Sequence, residues 1–388
     1  MSKLKVKLDR NLRRTILRGH PWVYKEALDR PPHSERATLA RVLDQKGEDL
    51  AWAIYDPHSP LALRILSTDK APPQESFIEK KLAKAWLLRK AVRSEQTTAY
   101  RFINGEGDGL PGLVCDVYGD VAVLQFDGKG PREFWDASFV AQWILKNTPL
   151  KSVVDKLRRS DSDRGIELLA GKPVTDELVL KENGVLFKMD LIKGQKTGFF
   201  LDQRDNRQYV RQISEGLSVL NMFSYTGGFS VYAGLGKASK VASLDIAKGA
   251  TDLAMENWLL NGLPEDRHQS ICMDAFDYLQ GQKEFWDCII VDPPSMSHDE
   301  KGKAIAVKKY TDLFAAAARR VNKEGYLILS SCSSHISFND FFEIANEALS
   351  AARRKGQTLR ISGQGLDHPF PQATYELRYL KFVHLVLD

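Results

Sequence analysis

Several stretches in the second half of the chain combine residue types suited to holding a small charged ligand. "VLNMFSYTGGFS" runs from an apolar, strand-like segment into a turn with Gly227 and Gly228. The missing Cβ atoms there let backbone N–H groups approach a ligand. "VASLDI" puts Asp245 at the end of the next such segment, where a carboxylate accepts from both hydroxyls of a ribose, and "ICMDAF" offers Asp274 to an adenine amino group. "VDPPS", residues 291–295, ends another apolar run in two prolines. These cannot continue a strand ladder and force a rigid exit, which would hold Asp292 and nearby carbonyls against a flat nucleobase. "LILSSCSSHIS", residues 327–337, places one thiol, Cys332, where an apolar run gives way to small polar residues. Each feature has a plainer reading: an aspartate as a helix N-cap, a double glycine as a tight turn, Pro-Pro as a strand exit. In this order and spacing they suggest an adenosine ligand. The absence of GxGxxG argues against the pyrophosphate of a dinucleotide, and so against an NAD-dependent oxidoreductase. S-adenosyl-L-methionine is the common ligand that remains.

The elements needed to position these residues are legible from about residue 180. "LSVLNMF", "KVASLDI", "FWDCIIVDPP" and "YLILSSC" read as strands, "TDLAMENWLLNG" as a helix, and "YTDLFAAAARRVNKEG" as a helix stopped by Gly325. Strand–helix alternation of this length predicts a parallel sheet with helices on both faces and ligands at its carboxyl edge. Upstream, "ATLARVLDQKGEDLAWAIYDPHSPLALRILS" alternates short β-prone runs with turn residues and predicts a small, mostly β module ending near Thr68. "TDKAPPQES" reads as a linker. "FIEKKLAKAWLLRKAV" reads as a helix with Phe77, Leu82, Trp86 and Leu87 toward a core. "FINGEGDGLPGLVCDVYGDVAVLQF" reads as a hairpin in which Cys115 is a buried, inert thiol.

A chain of 388 residues predicts two or three domains, and 43% apolar with 27% charged residues fits a folded globular protein. The four cysteines form no CxxC pair and no zinc-ligand spacing, so no metal is expected and a reduced, cytoplasmic setting is the simplest. The start "MSKLKVKLDR" has no apolar signal core, and no run approaches membrane-spanning length. Residues 1–30 carry nine lysines and arginines against three acids, although the whole chain is only +5. Such a local field suits a polyanion such as RNA, or a solvated helix face.

"GHPWVY" at 19–24, "YDPHSPLALRILS" at 55–67, "NGEGDGLPGLVCDVYGD" at 104–120, "GQKTGFFLDQRDNR" at 194–207, "FSYTGGFS", "DPPS" and "SCS" together resemble the RlmI-like class I methyltransferases over nearly the whole chain. The resemblance implies an N-terminal PUA domain (1–70), a central α+β hairpin-containing domain (71–178) and a C-terminal Rossmann-like methyltransferase domain (179–388). It implies S-adenosyl-L-methionine as cofactor, held by Phe200, Asp202 and Arg204, by the turn containing Asn221, Phe223, Ser224, Thr226, Gly227 and Gly228, and by Asp245, Asp274 and Asp292. Cys332 falls on the family's nucleophile position. Expected partners are large-subunit rRNA, 23S RNA foremost, and a second copy of the chain in a homodimer; no membrane partner is expected.

The implied product is 5-methylcytosine. Carbon 5 of cytosine is a poor nucleophile until a thiolate adds to carbon 6, and Asp292 would hold the base during that charge shift. Pro293, Pro294 and Ser295 would line the base, while Lys5, Arg13 and Arg14 would meet phosphates, with Trp22 and Tyr24 available for stacking. Many RNA cytosine methyltransferases carry a second cysteine after the Pro-Pro pair; this chain has Ser295, which leaves the base for the carbon 5 proton open among water, Asp292 and His335. Alternatives are methylation of guanine N7 or an exocyclic amine, and a non-catalytic RNA-binding ribosome assembly factor.

Overall fold

The computed structural model describes residues 4–158, 164–192, 198–281, 284–296 and 302–388. In "LKVKL" at Leu4–Leu8 the two-residue period sends Val6 and Leu8 inward and leaves Lys5 and Lys7 exposed. This strand lies in a six-stranded sheet with Trp22–Val23, Leu28–Asp29, Thr38–Leu43, Asp49–Tyr55 and Leu63–Ser67. It runs parallel to Thr38–Leu43, and the other pairs are antiparallel. A second, five-stranded sheet contains Ala99–Asn104, Leu113–Tyr118, Val121–Phe126, Ser152–Arg158 and Arg164–Gly171. Its Leu113–Tyr118 and Val121–Phe126 strands pair across Gly119 and Asp120, the expected hairpin. Cys115 is fully buried there, and burial pushes its thiol well above the ordinary value.

Helix Glu75–Leu88 follows the prolines of 72–73. Leu82 and Ala85 are buried and Trp86 packs beside them, but Leu87 is 65% exposed, against expectation. At 100° per residue Leu87 sits about 140° around the helix from Leu82.

The two N-terminal sheets share one core, in which Ala37, Ile54 and Leu66 pack with Phe102 and Leu113. They belong to one compact unit, Met1–Leu180, Met189–Leu201 and Leu366–Tyr375. The last of these segments is stitched in by hydrogen bonds. The Asp367 carbonyl accepts from Arg89 Nη2 (3.1 Å), its carboxylate from Arg101 N (2.9 Å), and the Pro369 carbonyl from Asn104 Nδ2 (2.8 Å). A Cβ at Gly107 would lie 1.8 Å from the Pro369 oxygen, so only glycine permits this approach.

The second unit, Lys181–Lys188, Asp202–Gly365 and Glu376–Asp388, is built on a seven-stranded sheet. Numbered within this unit, its strands are β1 (Ser218–Met222), β2 (Lys240–Asp245), β3 (His268–Cys272), β4 (Trp286–Val291), β5 (Val321–Ser331), β6 (Gly356–Ser362) and β7 (Lys381–Leu387). The order is 3-2-1-4-5-7-6, with β7 antiparallel to both neighbours. Helices α1 (Arg204–Ile213), α2 (Gly228–Leu235), α3 (Lys248–Leu260), α4 (Ala275–Gly281), α5 (Lys303–Ala318) and α6 (Phe338–Ala352) alternate with them. Neighbouring residues of β1 feed two cores: Leu220 and Met222 pack with Tyr310, Phe314 and Phe341, whereas Val219 packs with Val210, Phe229 and Trp258. Helices therefore cover both faces, as the alternation predicts. The helix expected to run to Gly325 instead ends at Ala318. Residues 321–325 already belong to β5, where Trp286 faces Val321 but Cys288 faces Tyr326, a bulge that Glu324 absorbs at φ 60°.

His268 in β3 stacks on Trp258 at 4.7 Å and its Nε2 bonds Ser243 Oγ at 2.8 Å. Burial lowers its pKa from 6.5 to about 4. The fold thus holds the neutral ring, a contribution present above the ordinary pKa and lost as pH falls toward 4. Stability should drop by about 3 kcal/mol on this account across that window. Urea midpoints at pH 7 and 4.5 check it, with His268→Asn losing less over the interval than wild type.

Candidate active site

The register aligns four strand ends. Met222 pairs with Leu244 and Val291, and Val291 with Leu329. The residues that follow, Phe223, Asp245, Asp292 and Ser330, therefore form one carboxyl edge, and the strand order reverses between β1 and β4. After β1 the backbone is strained: Phe223 and Tyr225 have φ of 56° and 48°, a left-handed conformation that costs bulky residues on the order of 1–3 kcal/mol. Ser224 N donates to the Leu244 carbonyl (3.0 Å) and Tyr225 N to Asp245 Oδ2 (2.9 Å), which hold the turn. Gly227, at φ 77°, starts α2 with its Cα hydrogens facing Ala254, where a Cβ would stand 2.9 Å from that methyl. Asn257 Nδ2 donates to the Thr226 carbonyl at 2.9 Å.

This turn suits a polar, partly cationic ligand. Asn221 Oδ1 and Ser224 Oγ are buried and have no hydrogen-bond partner among the described residues, although buried polar atoms are almost always paired. Asp245 is half-buried and receives Tyr225 N and Ala247 N on separate oxygens, which leaves each oxygen a further lone pair for a hydroxyl. Asp274 caps α4, its Oδ1 accepting from Phe276 N at 2.8 Å. Asp245 and Asp274, the acids expected at the ribose and the adenine, thus stand just after β2 and β3. These features fit S-adenosylmethionine.

The segment before α1 divides between the two units, with Asp202 and Gln203 in the second. Residues 193–197, which include the first four of "GQKTGFFLDQRDNR", lie outside the described residues. Phe200 is half-buried in Met189–Leu201. Asp202 Oδ2 accepts from the Tyr379 hydroxyl at 2.7 Å, and Arg204 is buried with Nε 3.3 Å from Asp205 Oδ1. Between them sits a residue that sequence reasoning passed over. Gln203 Nε2 donates both to Asp292 Oδ2 (3.0 Å) and to Ser330 Oγ (2.9 Å), while its Oε1 accepts from Asn206 Nδ2 (2.6 Å). Gln203 therefore ties the end of β4 to the end of β5. The signal was its place inside the most specific motif.

Beyond β4, Pro293 is buried, Pro294 exposed, and Asp292 and Ser295 half-buried. Cys332 is half-buried immediately after β5. Ser331 Oγ donates to the Tyr310 hydroxyl at 3.1 Å. Burial pushes that phenol up to about 12; the Ser331 bond opposes the shift, and Cys332 and Asp292 add to it, so thiol and carboxylate share one electrostatic neighbourhood. His335 is half-buried three residues on. The structure thus places Asp292 just after β4 and Ser330 and Cys332 at the end of its neighbour β5, with Gln203 bridging Asp292 to Ser330.

In the N-terminal unit Lys5, Arg13 and Arg14 are exposed, but Arg13 is engaged with Asp44 at 2.9 Å. Trp22 Nε1 donates to Glu106 at 2.9 Å, whereas Tyr24 is exposed. Among the described residues there is no cluster of metal-binding side chains and no helix long and apolar enough to cross a membrane.

Residues 6–68 match the PUA-like domain family and residues 141–352 the S-adenosylmethionine-dependent methyltransferase family. A ribosomal RNA large subunit methyltransferase from Deinococcus radiodurans is 35% identical over all of this chain and 98% of its own. The ribosomal RNA large subunit methyltransferase I of Photobacterium profundum is 34% identical over 95% of each chain. A solved Streptococcus mutans chain assigned as a SAM-dependent methyltransferase superposes with a TM-score of 0.86 at 24% identity, covering 99% of this chain and 100% of that one, and so shares the fold. An N-terminal PUA-like domain, an intervening mixed α/β region and a Rossmann-like domain whose cofactor is S-adenosylmethionine place the chain in the RlmI-like family of class I methyltransferases, that of ribosomal RNA large subunit methyltransferase I.

Proposed function

We propose that the protein methylates carbon 5 of a cytosine in large-subunit (23S) rRNA, with Cys332 as the nucleophile at carbon 6. The observation that supports this reading is that Cys332 directly follows β5 and Asp292 directly follows its parallel neighbour β4, with Gln203 bridging Asp292 to Ser330, two residues before the thiol. The Cys332 thiolate donates an electron pair to carbon 6, forming a sulfur–carbon bond and moving ring electrons toward carbon 5. Asp292, held by Gln203, accepts from the amino group and, as the acid, donates to the ring nitrogen where charge develops, which favours that shift. When bound, S-adenosylmethionine supplies an electrophilic methyl to the activated carbon. Transfer of the carbon 5 proton to a water restores the ring double bond and expels the thiolate, freeing Cys332 for another turnover.

Asn221, Phe223, Ser224, Thr226, Gly227, Gly228, Asp245 and Asp274 form the cofactor's cradle in this reading, with Phe200, Asp202 and Arg204 from the neighbouring segment. Methylation of an exocyclic amine fits less well, because Ser295 and Met296 follow the two prolines and offer no aromatic face for a base. Lys5 and Arg14, exposed on the N-terminal unit, supply phosphate contacts, whereas Arg13 contributes less while it is paired with Asp44. A cytosine in a stacked helix is out of reach, so the target is unpaired or flipped out. Mass-spectrometric mapping of 23S rRNA, incubated with the purified protein and labelled cofactor, tests the proposal. One labelled 5-methylcytosine is expected; label on a guanine or on an exocyclic nitrogen would overturn it.

A further inference from the structure

Lys381, the first residue of β7, is 1% exposed. Its Nζ donates to two backbone carbonyls, those of Ser333 and of Tyr379 (2.7 Å). Among the described residues no carboxylate lies within ion-pair distance of it. A buried ammonium without a counter-anion is costly, so its place needs an explanation. The surroundings supply one. Lys381 is the cross-strand partner of Ser331, and its ammonium is bonded to the carbonyl of Ser333, so the contacts of Lys381 bracket Cys332 on both sides.

We propose that Lys381 is a positioning residue whose buried ammonium keeps the neighbouring Cys332 side chain as a thiolate, the proton having left to solvent. The inference rests on the nucleophile reading of Cys332 and adds the group that readies it. Burial lowers the Lys381 pKa to about 8, against an upward pull from Cys332 and Asp340 and a further lowering by Arg378. The attraction between thiolate and ammonium is mutual, so the group that Cys332 holds charged also holds Cys332 charged. Of the other charges nearby, Asp340 is engaged by Lys303 at 2.9 Å and by the cap of α6, and Arg378 lies over Phe338 at 3.7 Å. Asp292 and Tyr310 carry no positive charge, so among these described groups Lys381 is the cation bonded to the thiol's own segment and placed to favour its ionisation.

The test is the pH dependence of Cys332 alkylation by iodoacetamide, followed by peptide mass spectrometry in the full chain. In wild type the midpoint should lie below the ordinary thiol value of about 8.5. In Lys381→Met it should rise by about one unit, which slows alkylation at pH 7 roughly tenfold, with Lys381→Arg in between. Binding of S-adenosylhomocysteine verifies that the variants are folded. A wild-type midpoint at or above about 8.5 overturns the proposal without any variant, and so does an unchanged midpoint in folded Lys381→Met. None of these readings uses methyl transfer; the nucleophile role fails separately, if Cys332→Ala keeps its activity.

Discussion

Alanine at position 332 should lower methyl transfer to cytosine by at least about ten-thousandfold, the scale seen when an enzyme loses its nucleophile. Cofactor affinity should stay within a few-fold, because the turn after β1 and the acids at the ends of β2 and β3 are untouched. Titration calorimetry with S-adenosylhomocysteine and a labelled-methyl assay separate the two effects. RNA carrying 5-azacytidine at the target should leave wild-type protein in an adduct that survives denaturation, since no proton remains at position 5 to release the enzyme. Cys332→Ala should form none. Undiminished turnover in the alanine variant would mean that the thiol sits beside the chemistry without taking part.

The second large effect is structural. Arg207 in α1 and Glu182 are both buried and pair through two bonds, Nε to Oε1 at 2.7 Å and Nη2 to Oε2 at 2.6 Å. Glu182 ends a strand of the Glu177–Glu182/Val185–Asp190 hairpin, and its carbonyl also accepts from the Tyr232 hydroxyl of α2 at 2.8 Å. Glu182→Ala strands a guanidinium in the interior and should cost about 3–5 kcal/mol in urea unfolding. Glu182→Leu combined with Arg207→Met should cost much less than the two single changes added together, because no charge is left uncompensated. Arg207 also lies where a Cβ at Gly228 would come within 3.1 Å of its Cδ, so the arginine single variant should additionally weaken S-adenosylhomocysteine binding.

Strand ends were the legible part of this chain. Apolar runs closing in Gly-Gly, Asp or Pro-Pro announce both an element and its exit, and so the turn at 223–228, Asp245, Asp292 and Cys332 are placed on one edge by the sequence alone. What could not be placed depends on register. Gln203 reaches Asp292 and Ser330 only because Val291 pairs with Leu329, and Lys381 meets the Cys332 segment only because β7 runs antiparallel to β5. A lysine inside "LKFVHLVL" does mark itself as unusual, but nothing local says which thiol it serves. Leu87 and the end of α5 were misjudged for a related reason: an apolar residue on a short helix, and a glycine after an Ala-rich run, each fit two local patterns, and tertiary packing selects between them.

The return of Leu366–Tyr375 to the first unit sets a timetable for biosynthesis. Arg89, Arg101 and Asn104 leave the ribosome first, yet their partners in Asp367 and Pro369 are made 265 to 278 residues later. At roughly 5–20 residues per second the wait is on the order of ten seconds to a minute. Throughout that interval the nascent first unit lacks its final strap, and it becomes complete only once the segment through Tyr375 has been translated.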